Sequence, residues 1–175
     1  MMEEKMANHI VLFEPLMPAN TGNIARTCAG TDTILDLIEP LGFKLDNKHL
    51  KRAGLDYWNK VQINYHQNLP EFLKTVENPK NLFLVSKFAN QDYTDPDYSD
   101  PKQDYYLLFG KETTGLPEPF MRKNPEKAIR IPQDDDHIRA LNLSNSCAIV
   151  IYEVLRQQSF NHLERTHKYP HDKLK

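Results

Sequence analysis

Cysteine is nearly absent: the 175 residues hold two. Cys28 and Cys147 lie far apart, each inside an apolar run, which points to buried small hydrophobes in a reducing compartment rather than to a bridge or a metal site. No metal is expected. Long hydrophobic runs are missing too, since no stretch approaches the roughly 18 apolar residues needed to cross a bilayer. The N-terminal Met1-Met2-Glu3-Glu4-Lys5-Met6 is polar and acidic and lacks the apolar core of a secretion signal. A cytoplasmic location and no membrane partner are the expectation. Nor is positive charge in excess: 22 Lys and Arg against 24 Asp and Glu leave a net charge of −2. Bulk charge therefore announces no nucleic-acid partner, and any RNA contact must come from locally grouped Lys and Arg.

What is present is the make-up of a soluble globular chain, 39% apolar and 26% charged. Its length suits one domain that buries roughly two-thirds of its unfolded surface without disulfides. We expect a single domain over residues 7–160, with flexible termini at 1–6 and 161–175. His9–Glu14 reads as a buried strand, followed by a helix over about Asn20–Ala29. Ile34–Glu39 reads as a second strand, and Asp46 can cap a short helix that ends at Gly54. Val61–Tyr65 is strand-like, and Leu69–Val76 is helix-like with Asn68 as its cap. Leu82–Ser86 and Tyr105–Phe109 are continuous apolar runs of the kind that suit parallel strands covered on both faces. Ala128–Ile131 is a last short strand, and Ser144–Gln158 is the longest helix. This alternation argues for an open, mostly parallel α/β sheet flanked by helices. Asn90–Gln103 reads as a surface loop, and the polar stretch after Phe160 as a loose tail.

Three segments are more specialised than scaffolding requires. In Pro18-Ala19-Asn20-Thr21-Gly22-Asn23-Ile24-Ala25-Arg26, Asn20 or Thr21 can cap a helix. Arg26 then projects near the helix start, where a phosphate or a polarised hydroxyl can be held. The same residues equally suit a capped helix with a solvated arginine. In Phe109-Gly110-Lys111-Glu112-Thr113-Thr114-Gly115-Leu116-Pro117, two glycines flank a charged tetrad directly after an apolar strand, where α/β sheets bind ligands. A purely structural turn is the alternative. The pattern is neither a P-loop nor Gly-x-Gly-x-x-Gly, so NAD binding has little support. In Ile129-Arg130-Ile131-Pro132 and Arg139-Ala140-Leu141-Asn142-Leu143-Ser144-Asn145, Asn142, Ser144 and Asn145 crowd one helix N-terminus. Capping needs only one such side chain. Ala148, Ile149, Ile151, Tyr152 and Leu155 form a wide apolar face, suited either to the core or to a dimer interface.

In this order the three segments resemble motifs 1, 2 and 3 of the SPOUT (TrmH-like) RNA 2′-O-ribose methyltransferases. The stretches Leu37-Ile38-Glu39-Pro40-Leu41-Gly42-Phe43 and Arg52-Ala53-Gly54-Leu55-Asp56-Tyr57-Trp58 resemble the TrmL (YibK-like) branch. The likeness runs from about His9 to Gln157. It implies an α/β-knot fold, with a deep C-terminal trefoil knot that sequence patterning would never propose. It also implies S-adenosylmethionine (AdoMet) as cofactor, a homodimer with active sites completed across two subunits, and a tRNA substrate. The reaction implied is 2′-O-methylation of the wobble nucleotide, a cytidine or a modified uridine, in leucine tRNA isoacceptors. Carried over by position, the cofactor contacts are Val85, Gly110, Ile131, Ala140 and Leu141, with Leu141 packing on the adenine. The family usually has serine where this chain has Ala140. If the cofactor is contacted there through backbone, activity should survive; a lost side-chain hydrogen bond would cost roughly 0.5–1.5 kcal/mol and weaken binding without abolishing it. Asp32 replaces a common glycine, and aspartate tolerates the left-handed backbone this implies.

The same resemblance places Arg26 beside the 2′-hydroxyl with Asn20 orienting it, and Glu112 and Asn142 as organisers of the pocket. Because a guanidinium is a poor base, either an RNA phosphate takes the proton or Arg26 stabilises the alkoxide while another group does. RNA contacts would come from Lys44, Lys48, Lys51, Arg52, Lys87, Arg122, Lys123 and Arg139, each of which alone reads as a solvated charge. Tyr152 suits the tRNA, the dimer interface or the core. Two rival readings remain open: methylation of another tRNA or rRNA ribose, and a non-catalytic RNA-binding relative.

Overall fold

A computed structural model describes residues 7–44 and 58–166. Along the chain run β1 (Asn8–Phe13), α1 (Pro18–Thr31), β2 (Ile34–Ile38), β3 (Ile63–His66), α2 (Leu69–Leu73), β4 (Leu82–Val85), β5 (Gln91–Asp92), β6 (Tyr105–Phe109), α3 (Glu118–Lys123), β7 (Ala128–Arg130) and α4 (Leu143–Gln157). The strands form one seven-stranded sheet in the order β3-β2-β1-β6-β4-β7-β5, and each pairing is parallel. The helix expected over Asp46–Gly54 lies outside the described residues, as do Lys48, Lys51 and Arg52.

The central strands β1 and β6 are buried along their whole length, because both faces of the sheet are covered. Side chains alternate between two cores, following the period of two that a strand imposes. Ile10, Leu12, Leu35, Leu37, Leu107 and Phe109 meet Ile24 and Cys28 of α1 and Cys147, Val150 and Val154 of α4. Val11, Phe13, Ile38, Leu84 and Leu108 face the other way, onto Phe72 of α2, with Phe120 and Met121 of α3 at the margin.

One polar cluster interrupts that second face. Asp36, 2% exposed, accepts from His9 Nδ1 and His66 Nε2, both at 2.7 Å, and from Asn64 Nδ2 at 3.1 Å. An ionised carboxylate only accepts, so each of those ring nitrogens carries its proton. Burial pushes the Asp36 carboxyl up, but the hydrogen bonds from His66, His9 and Asn64 outweigh it and hold the group below the usual aspartate range. His9 also stacks on Tyr106, with ring centroids 4.3 Å apart. The cluster thus links β1, β2 and β3 from within.

The structure departs from the sequence expectations at several points. Helix α1 begins at Pro18, not Asn20, with Met17 as N-cap and no side-chain cap bond. Proline is pre-set for the first helical position, so the Asn20 side chain is released from capping. At the other end, Asp32 has φ 51° and its N–H reaches the Cys28 carbonyl, the left-handed cap expected of it. Helix α2 does have Asn68 as its cap, accepting from Glu71 N at 2.9 Å, but it stops at Leu73 rather than Val76.

The Asn90–Gln103 segment is not merely a surface loop. Gln91–Asp92 adds an edge strand beside β7, and Tyr98 is fully buried. Its ring lies edge-on to Phe83 and Tyr105, and its hydroxyl donates to the Tyr93 carbonyl at 2.9 Å. Past Phe160, Leu163 packs against the core, and His162 Nε2 lies 3.1 Å from the Thr31 carbonyl. The start of the expected loose tail is therefore docked. The apolar face of α4 is split: Ile151 and Leu155 are buried, while Ile149 and Tyr152 point outward.

Candidate active site at the carboxyl ends of the central strands

After β1 the chain moves to β2 on one side of the sheet, and after β6 it moves to β7 beyond β4 on the other. Such a reversal opens a crevice at the carboxyl ends of the strands. Loops following β1, β4, β6 and β7 enclose a cavity of about 550 Å³ there, within the range that holds nucleotide-sized ligands.

The loop after β6 is shaped by its two glycines. Lys111 and Gly115 exchange backbone bonds, with Gly115 N to Lys111 O at 2.9 Å and Lys111 N to Gly115 O at 3.3 Å, and Gly115 takes φ +70°. A Cβ on Gly110 would stand 2.2 Å from the Gly115 carbonyl carbon. No side chain fits there, so the Gly-x-x-x-x-Gly spacing is a steric requirement of this loop. Lys111 pairs with Glu14 at the end of β1, and its ammonium lies over the Phe13 ring, which pins the loop to the neighbouring strand.

Glu112 reaches across this loop to the start of α1. Its carboxylate accepts from Leu16 N at 2.8 Å, Met17 N at 3.0 Å and Asn20 Nδ2 at 3.3 Å. It thereby takes up the role a side-chain cap would have had, with its negative charge at the positive end of the helix dipole. Asn20 Oδ1 accepts in turn from Asn142 Nδ2 at 3.1 Å. Asn142 Oδ1 caps α4, accepting from Ser144 N at 2.9 Å and Asn145 N at 3.3 Å. One chain of hydrogen bonds therefore joins the N-termini of α1 and α4 through the loop after β6. Asn20, Glu112 and Asn142 all line the cavity.

All five expected cofactor contacts, Val85, Gly110, Ile131, Ala140 and Leu141, line the same cavity, as do Lys87 and Arg139. The last two also stitch its wall together. Lys87 Nζ donates to the Arg139 carbonyl at 2.8 Å, and the Arg139 guanidinium donates to the Thr113 carbonyl. Gln133, which sequence reasoning missed, lies on the wall and accepts from Leu141 N at 3.3 Å. Nothing in the Gln133–Ile138 run distinguishes that amide from its polar neighbours. Phe88, also missed, sits at the same cavity.

Arg26 is placed elsewhere. It lies on the exposed side of α1 and does not line the cavity of its own chain. Helix geometry is the reason: six residues beyond Asn20, Arg26 stands about 9 Å further along α1 and about 240° around it, away from the side that meets the cavity. Tyr152, half exposed on α4, is likewise away from the cavity. Arg122 is paired with Glu118 on α3. Cys28 and Cys147 are buried, and burial pushes both thiols well up, so neither is a nucleophile. Among the described residues no group of His, Cys, Asp and Glu is arranged to hold a metal, and no helix is long and apolar enough to cross a membrane.

The profile of the SpoU rRNA methylase family matches residues 7–152, a span that includes every loop of the cavity. The chain belongs to the SpoU methylase family. A SpoU relative from Lactobacillus gasseri, named as a candidate RNA (cytidine(34)-2′-O)-methyltransferase, is 62% identical, covering 97% of this chain and 91% of its own. The crystal structure of a candidate RNA methyltransferase from Bacillus anthracis superposes with TM-score 0.86 at 49% identity, over 90% of this chain and 98% of that one. A structure described in terms of the 2-OH methylation of C/U34 on tRNA gives TM-score 0.78 at 36% identity, over 89% and 99% of the two chains. The fold persists at 21% identity in the SpoU methyltransferase AviRb of Streptomyces viridochromogenes, crystallised with AdoMet, with TM-score 0.71 over 91% of this chain and 60% of that one. The α/β fold class expected from the sequence is thus the SpoU fold.

Proposed function

We propose that this SpoU chain transfers a methyl group from AdoMet to the ribose 2′-hydroxyl of the wobble nucleotide of tRNA. The target is cytidine or a modified uridine in leucine isoacceptors, and the protein works in the cytoplasm as a homodimer whose C-terminal segments form the trefoil knot. One observation carries the reading: positions from separate loops, Val85, Gly110, Ile131 and Leu141, converge on one cavity whose wall is braced by Glu112, Asn20 and Asn142. AdoMet fits this place, because the cavity has the volume for it and the glycine loop brings backbone rather than side chains to its edge.

When bound, AdoMet supplies an activated methyl on a sulfonium, so the protein's task is to position the hydroxyl and manage one proton. Both oxygens of Glu112 already accept backbone amides. We therefore assign Glu112 to holding the start of α1 in place, not to acting as the base. Arg26 is absent from its own cavity and serves that of the partner subunit, where it stabilises the alkoxide and holds the adjoining phosphate, which takes the proton. Lys87 and Arg139 flank the cavity as RNA contacts, Lys51 and Arg52 are assigned to the RNA as well, and Tyr152 belongs to the subunit interface. Ala140 leaves the backbone of its loop in place, so cofactor binding does not depend on the missing hydroxyl.

The test is labelled AdoMet incubated with tRNA from cells lacking this gene, followed by nuclease digestion and mapping of the label. The expected result is label on the wobble ribose of leucine tRNAs. Label on a different ribose would overturn the wobble assignment, and no incorporation into any RNA would overturn the enzymatic reading.

A further inference from the structure

Phe88 is 81% exposed, far more than the other outward-facing large hydrophobic residues described, of which Tyr65 at 51% and Tyr152 at 50% come next. It lies at the rim of the cavity, in the loop following β4. A phenyl ring in water is ordinarily tolerated on a loose loop, but this loop is fastened. Ser86 N donates to the Ile129 carbonyl at 2.9 Å, and Ala89 N to the Ser86 carbonyl at 3.2 Å. Phe88 N donates to Ser86 Oγ at 3.3 Å, and the Arg130 guanidinium holds the Lys87 carbonyl. Directly after Phe88, Ala89 is buried as an anchor. The Lys87 ammonium stands 5.2 Å from the ring centroid while donating to the Arg139 carbonyl. The ring is therefore held in a fixed place beside a cation, with most of its surface open.

We propose that Phe88 is a stacking platform for a nucleobase of the RNA, either that of the methylated nucleotide or that of its immediate neighbour. This rests on the reading of the cavity as the methyl-transfer site, because a ribose brought to that cavity leaves its base or the next one at the rim. An aromatic face beside an ammonium matches a base and its adjoining phosphate, and stacking on a flat ring is how unpaired bases are held. The composition adds a reason. With a net charge of −2, phosphate attraction alone is a weak source of affinity, and a base-stacking contact supplies binding that charge does not.

The experiment compares wild type with Phe88→Ala, Phe88→Tyr and Phe88→Trp, changes at an exposed site that should leave the fold intact. The RNA is an unmodified tRNA transcript with cytidine at the wobble position. Phe88→Ala is expected to raise KM for the tRNA by about tenfold or more, and the two aromatic variants to restore most of it. AdoMet affinity, read separately by calorimetry, is expected to stay within about twofold, since base stacking is a contact with the RNA alone. A second readout needs no turnover: 2-aminopurine placed at the target position, or at the position beside it, is expected to be quenched on binding wild type and not Phe88→Ala. The position quenched identifies the stacked nucleotide. An unchanged KM with quenching retained in Phe88→Ala overturns the proposal, as does a loss confined to AdoMet affinity, which would place the ring over the cofactor. A wild-type protein that methylates no tRNA overturns the functional reading instead, and the quenching experiment still decides the role of Phe88.

Discussion

Glu112 shows how one side chain can carry several duties. It accepts hydrogen bonds from two amides at the start of α1, holds Asn20, and through Asn20 reaches the cap of α4. Glu112→Gln keeps the shape but offers only one accepting oxygen, so an amide of Leu16 or Met17 then faces an NH₂ group. Urea unfolding is expected to show a loss of roughly 1–3 kcal/mol, the range for a charged hydrogen-bond acceptor. Stability equal to wild type would mean that the bracing is unimportant. At this scale much of the site was legible. The Gly110–Gly115 spacing marks residues that line the cavity, and the crowding of Asn142, Ser144 and Asn145 marks the helix start from which Asn142 reaches it. The placement of Arg26 was not, because it depends on which face of α1 meets the cavity, and the motif does not say that Asn20 faces it while Arg26, six residues on, faces away. Phe88 and Gln133 carry no periodic or motif signal at all.

Among the elements, the buried His9–Asp36–His66 cluster ties β1, β2 and β3 together on the face that α2 covers. Because the folded Asp36 carboxyl sits below its ordinary value, its stabilising contribution is complete above the unfolded aspartate range, near pH 4, and is lost as pH falls through the depressed folded value. Asp36→Asn is expected to lower stability at neutral pH and to flatten the decline between about pH 4 and more acidic conditions, as followed by denaturant unfolding at stepped pH. An acid limb as steep as that of wild type would contradict this role. The central strands were readable because burial on both faces makes them continuous apolar runs. The edge strand Gln91–Asp92 was not, being two polar residues whose only strand feature is a partner in β7. Tyr98 was hidden for a related reason: it is anchored by the Tyr93 carbonyl for its hydroxyl and by the rings of Phe83 and Tyr105, contacts that exist only once β4 and β6 lie side by side.

For the whole molecule, the decisive feature is that the cavity and Arg26 do not meet within one chain. If the partner supplies Arg26, two inactive variants can complement each other. Arg26→Ala should abolish turnover while leaving AdoMet binding nearly intact, and Gly110→Ala should lose the cofactor. When the two are unfolded together and reassembled, half the dimers are mixed and each mixed dimer has one sound site, so about a quarter of wild-type activity is expected from a two-fold-symmetric dimer. No recovery from dimers shown to be mixed would mean that Arg26 does not act across the interface. The knot is an expectation at this scale that rests on the family resemblance alone, because threading leaves no trace in propensity or hydrophobic period.

The most direct measurement is a calorimetric titration of the purified protein with AdoMet, for wild type and for Gly110→Ala, where a Cβ cannot fit against Gly115. Saturable binding by wild type that disappears in a folded Gly110→Ala protein is the expected result. Absence of binding by wild type, or undiminished binding by Gly110→Ala, would show that the cavity framed by Gly110, Ile131 and Leu141 is not a cofactor site.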